Sequence, residues 1–156
     1  MKSIVFIFLL FTGISNCYSQ EDSLDQIKVQ SIVREFSSNS QSISSYRKLP
    51  EFIRYYLDQK NEYKCRISNS KFSGKNIGSG SHRKQSYITR LKDDYIISYE
   101  HGGTGYHCHS IILQTNGKKI INGYNVVYFK KQNNVTEFIN ILQQPGSFKV
   151  IKYDEP

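Results

Sequence analysis

Three of the chain's four histidines fall inside one stretch, Glu100-His101-Gly102-Gly103-Thr104-Gly105-Tyr106-His107-Cys108-His109. Successive side chains of an extended strand alternate, so His107 and His109 share a face with Ile111 and Leu113 while Cys108 turns to the other. His101 precedes a glycine-rich turn and can face them across a hairpin. Imidazoles two apart on a strand, with a third across a hairpin, make a workable facial set for Zn²⁺ that leaves one coordination position open. Glu100 points to the face opposite His101, which makes it a poor fourth ligand or base, and no His-Glu-x-x-His pattern accompanies the set. Without a metal, the same residues suit the lining of a ligand groove, with Tyr106 beside the turn and Arg83 and Lys84 supplying positive charge.

Other reactive types give less. A nucleophilic Cys108 needs a base within hydrogen-bond reach, and its neighbouring histidines point away from it. Cys65 lies in a second alternating run, Tyr63, Cys65 and Ile67, so two cysteines on the buried faces of neighbouring strands suit a Cys65–Cys108 disulfide. That bridge encloses roughly 42 residues, a loop whose closure is worth about 3–4 kcal/mol in the chain-entropy model. Free thiols are the alternative. Ser73-Gly74-Lys75-Asn76-Ile77-Gly78-Ser79-Gly80-Ser81 has the look of a phosphate loop but lacks the Gly-x4-Gly-Lys-[Ser/Thr] spacing. With His82-Arg83-Lys84 directly behind it, it reads as a basic loop able to grip an anion, or as a plain connector.

Charge points the same way. Lys and Arg number 21 against 13 Asp and Glu, a net charge of +8, and 12 of those cations fall between Arg47 and Lys92 against three acids. A concentrated basic surface draws anionic partners, an acidic protein or another anionic ligand, or serves solubility alone. No pattern of a sequence-specific nucleic-acid binder accompanies it. Tyrosines on the strands and second helix add a surface suited to recognition, although tyrosine is also an ordinary sheet residue.

The N-terminus sets the compartment. Met1-Lys2-Ser3 and the uncharged run Ile4 to Phe11 are the basic and apolar parts of an export signal, and Cys17-Tyr18-Ser19 offers small residues for cleavage before Gln20. Residues 1–19 are the expected leader and 20–156 a single mature domain, periplasmic or secreted. Ile14-Ser15-Asn16-Cys17 also resembles a loose lipobox, which would leave a lipid-anchored Cys17 instead. The apolar run is well below the ~20 residues needed to span a bilayer, so no transmembrane segment is expected.

These residues are positioned by a readable set of elements. Ser23 opens a helix over 24–36 with Val29, Ile32, Val33 and Phe36 on one stripe. Ser37 to Ser45 is a polar connector, and Leu49-Pro50 opens a second helix with Phe52, Ile53, Tyr56 and Leu57 inward. The period then changes to two: strands are expected over 62–68, 85–91, 95–101, 106–114 and 118–129, with hairpins about Lys92-Asp93-Asp94 and Asn116-Gly117. Asn134-Val135-Thr136-Glu137 is a capping box that starts a short helix with Phe138, Ile139 and Leu142 inward, and Phe148 to Tyr153 is a last edge strand.

The composition, 38% apolar and 13% aromatic, excludes a disordered chain. The fold expected is α+β: two N-terminal helices, an antiparallel meander of about five strands and a C-terminal helix, one sheet with helices on one face. This order resembles cystatin-like and NTF2-like folds, in which a helix packs across a curved antiparallel sheet. The expected function is an exported, non-catalytic binding or inhibitor-like module. The alternatives are a small metal-dependent hydrolase built on His101, His107 and His109, and a periplasmic immunity-type protein.

Overall fold

The computed structural model describes residues 23–60, 67, 83–102 and 105–153. The expected leader and Cys17, the 73–81 glycine loop, Cys65, and all of the 62–68 strand but Ile67 lie outside them. Helix α1 covers residues 23–39 and α2 Glu51–Lys60, with a 3₁₀ turn at Tyr46–Lys48 between them. Among the described residues six strands follow one another in space as in sequence: β1 Gln41–Ser42, β2 Arg83–Leu91, β3 Asp94–His101, β4 His107–Thr115, β5 Ile120–Tyr128 and β6 Phe148–Tyr153. Every neighbouring pair is antiparallel. Helix α3, Val135–Leu142, sits between β5 and β6 in the chain. The α+β class and the meander are as expected. No helix among the described residues is long and apolar enough to cross a membrane.

Local chemistry accounts for most of these elements. Leu91 pairs with Asp94, so β2 and β3 are joined by the two residues Lys92-Asp93, and Lys92 takes a positive φ of 53°. Thr115 pairs with Ile120, and the turn between them is closed by the Asn116 amide on the Lys119 carbonyl at 3.2 Å. Gly117 supplies the φ of 81° that this turn needs, which explains the Asn-Gly pair. The cap of α3 forms as read: Asn134 Oδ1 accepts from the Glu137 amide at 2.9 Å. The returning carboxylate binds one residue earlier than in the usual box, accepting from the Asn133 amide at 3.0 Å.

Two expectations are corrected. The strand Gln41–Ser42 lies inside the stretch read as a polar connector. It is held by backbone pairing to Arg90 and Thr89 and by the Ile43 amide on the Ile88 carbonyl at 2.9 Å, so it needs no apolar alternation to form. The helices do not share one face. Val29, Val33 and Phe36 of α1 and Phe138, Ile141 and Leu142 of α3 pack with Tyr87, Ile96, Ile112, Val126 and Tyr128. Leu49, Ile53, Tyr56 and Leu57, on and just before α2, pack with Ile88, Ile97, Tyr99, Ile111 and Leu113. These are opposite faces of the same strands.

The physical reason lies in β3 and β4. Tyr95-Ile96-Ile97 and Ile111-Ile112-Leu113 are continuous apolar runs buried on both sides, which demand cover above and below. The chain provides it by passing from α1 around the sheet edge through β1 and returning over the other face as α2. Gly123 leaves room for that second layer: a Cβ there would stand 3.0 Å from the Tyr56 hydroxyl.

Candidate metal centre

Register decides which sequence candidates meet. His101 pairs with His107, and Tyr99 with His109, so all three histidines lie on the α2 face, beyond the end of the apolar rows that α2 covers. His101 Nδ1 is 2.9 Å from His107 Nε2. The ring centroids of His107 and His109 are 4.8 Å apart, and those of His101 and His109 5.6 Å. One ring nitrogen from each residue lies within 4.8 Å of the others, and the group could hold a metal ion. The alternation and hairpin geometry expected for the three residues is what the fold contains.

Hydrogen bonding orients the lone pairs. His107 Nδ1 is 2.8 Å from the Gly105 carbonyl, an acceptor only, so that nitrogen carries the proton and Nε2 offers its lone pair. His109 Nδ1 donates to Asn125 Oδ1 at 2.9 Å, which likewise leaves Nε2 as the basic nitrogen. That His109 Nε2 is buried and has no hydrogen-bond partner among the described residues. A buried lone pair without a proton donor is costly, and a cation would relieve it. Both donations to carbonyl-type oxygens are the outer-shell contacts that fix metal-binding imidazoles. His101 Nδ1–H then donates to His107 Nε2, occupying the place an ion would take.

Packing and charge complete the setting. Tyr99 stacks on His109 with ring centroids 4.8 Å apart and planes 9° from parallel. Burial lowers the His109 pKa to about 4, with the Asn125 hydrogen bond opposing and His107, His101 and Arg83 adding to the effect. His109 is therefore neutral at physiological pH and able to donate its lone pair. Arg83 pairs with His101 and stands over the Tyr99 ring at 5.2 Å, which places it on the histidine face.

Two proposed ligand-binding residues are not part of this group. Lys84 pairs with Glu100 on the opposite face, and Tyr106 donates from its hydroxyl to Glu100 Oε2 at 3.1 Å on that same side. A single-residue step along a strand reverses the face, and these two lie one step from Arg83 and His107. Glu100 itself is bound by Lys131 Nζ at 3.1 Å, facing away from the histidines. Cys108 lies there too, buried and unbridged among the described residues, with Cys65 of the expected disulfide outside them, and its thiol is 3.5 Å from the Tyr106 hydroxyl. Burial raises its pKa, opposed by the Tyr106 hydrogen bond and aided by the Glu100 charge, which favours the protonated thiol.

Sequence reasoning missed Asn125 and the specific role of Tyr99. Asn125 interrupts the apolar strand Tyr124-Asn125-Val126-Val127, and a polar residue in such a run is the signal that could have identified it. Compared with known proteins, the chain matches no family model, no curated protein and no solved structure.

Proposed function

We propose that the protein is an exported, non-catalytic metal-binding module in which His101, His107 and His109 hold a divalent ion of the Zn²⁺ class. The observation that carries this reading is the buried, unpartnered Nε2 of His109, aimed into a group whose other members offer nitrogens within 4.8 Å. Three neutral imidazoles suit a borderline-soft ion far better than Mg²⁺ or Ca²⁺, which prefer oxygen. Tetrahedral zinc with bonds of about 2.0–2.1 Å sets ligand nitrogens roughly 3.3 Å apart. His101 and His107 would open slightly and His109 close by about 1–1.5 Å, within the reach of small χ adjustments. The proton between His101 and His107 must vacate that place as the ion enters, and when His101 binds through Nδ1 it moves to Nε2 of the same neutral ring with no net release. Export, as read from the leader, would place the module where it meets extracellular or periplasmic metal.

Metal analysis and calorimetry on the purified chain test this. One Zn²⁺ per chain is expected, raising the melting temperature by roughly 10 °C at a hundredfold excess over Kd. Replacing both His107 and His109 by Ala, with circular dichroism unchanged, should abolish uptake. Failure to bind zinc at micromolar concentration, or undiminished binding by the double variant, would refute the site.

A metal-dependent hydrolase is the second reading, favoured by the open fourth position of a three-histidine set. Such chemistry generally calls for a base beside the ion. Among the described residues Glu100 is turned to the opposite face and engaged there by Lys131 and Tyr106. Chelator-sensitive turnover of 4-nitrophenyl acetate, lost in the double variant, would establish the enzyme over the binding module.

A further inference from the structure

Helix α2 carries two stripes. One enters the core through Ile53, Tyr56 and Leu57. The other, Phe52, Tyr55, Tyr56, Gln59 and Lys60, follows the i, i+3, i+4, i+7, i+8 spacing of one helical face and lines a groove closed on its far side by Lys118, Lys119 and Ile120 of the β4–β5 turn. The groove has a volume of about 410 Å³. Its walls are mainly apolar, and Tyr55 remains 67% exposed along it. Among the described residues, the charges at its rim are positive: Lys60, placed 5.6 Å from the Tyr56 ring centroid, Lys118 and Lys119.

Among the described residues no carboxylate lines this groove. Of the described acids, Asp93 is engaged by Arg90 at 3.1 Å and Asp58 by the Tyr46 hydroxyl at 3.2 Å. An aromatic wall rimmed by ammonium groups matches a ligand with a flat or acyl body and an anionic head, since the body is desolvated against the rings while the head meets the cations. The size favours a small molecule over a protein, because eight lining residues fall far short of the ~20–30 per side in a standard protein interface.

We infer that the groove between α2 and the β4–β5 turn is a binding site for a small amphiphilic anion, a hydrophobic carboxylate. It is independent of the histidine group, because Thr115 at the turn and His109 at the site are six residues apart on β4, about 20 Å of strand.

Calorimetry with 2-naphthoate, its uncharged counterpart 2-naphthylmethanol, and inorganic sulfate tests the inference on the full chain. Naphthoate should bind one per chain, at least tenfold more tightly than the alcohol, and sulfate should not displace it. Lys118→Glu with Lys119→Glu should weaken naphthoate at least tenfold, and Tyr55→Ala about fivefold. These side chains project at the surface, and circular dichroism and an unchanged zinc affinity would verify the fold. Equal affinity for the alcohol, full displacement by sulfate, no naphthoate binding at millimolar concentration, or variants that bind as the wild type each overturn the assignment.

Discussion

His109 is held from several sides: Tyr99 stacks on its ring, Asn125 accepts its Nδ1 proton, and two other imidazoles stand against it. Its folded pKa of about 4 lies below the ordinary 6.5, so between those values the unfolded chain binds more protons than the native one. Stability from this group is therefore complete above about pH 6.5 and is lost as pH falls toward 4, by at most about 3 kcal/mol. Urea unfolding of chelator-treated protein at pH 7 and pH 4.5 checks this. His109→Phe keeps an aromatic ring against Tyr99 but cannot titrate, so the wild type should lose about 2 kcal/mol more than the variant over that interval. Parallel losses in the two proteins would contradict the assignment. On the reverse side of the same strands, Tyr128 meets Ser98 at 2.9 Å and Ser110 at 2.7 Å, a buried hydroxyl network that satisfies its own members.

The elements follow mostly from short-range chemistry. In α3 the Asn134 side chain satisfies the Glu137 amide, and Glu137 answers by accepting from Asn133 and from the Asn134 side chain. Asn134→Ala should lower stability by about 1 kcal/mol, whereas Asn134→Ser should lose only a fraction of that, as read by chemical denaturation. Equal cost for the two would mean that the cap contributes nothing. The β4–β5 turn was likewise legible, because Asn116 Oδ1 accepts from the amides of Lys118 and Lys119 at 3.2 and 3.0 Å within four residues of chain. Strand β1 was not legible, since two backbone-paired residues leave no periodic pattern.

At the scale of the molecule, the described residues form a sheet covered on both faces. Ile96 and Ile97, adjacent in sequence, are fully buried in opposite cores, the first under α1 and α3 and the second under α2. Ile96→Ala and Ile97→Ala should each cost about 2–5 kcal/mol. Because both cores rest on the same strands, each variant should still unfold in a single transition, with far-UV and tyrosine near-UV signals coincident. Separate transitions would show that the two layers are energetically independent. The α1 and α3 layer is also tied by Gln30 Nε2 donating to the Leu142 carbonyl at 2.6 Å.

By itself the sequence determined the α+β class, most of the described elements other than β1, and the common facing of His107 and His109, because periodicity, caps and turn dipeptides act over a few residues. The pairing of His101 with His107, the exclusion of Tyr106 and Lys84 from the histidine face, and the contributions of Tyr99 and Asn125 came from strand register. The double covering of the sheet came from the path of the chain around the β1 edge. Both belong to tertiary structure, since register and layer order depend on contacts between residues far apart in the chain. The apolar run in β3 announces two buried faces, but not which helix covers each.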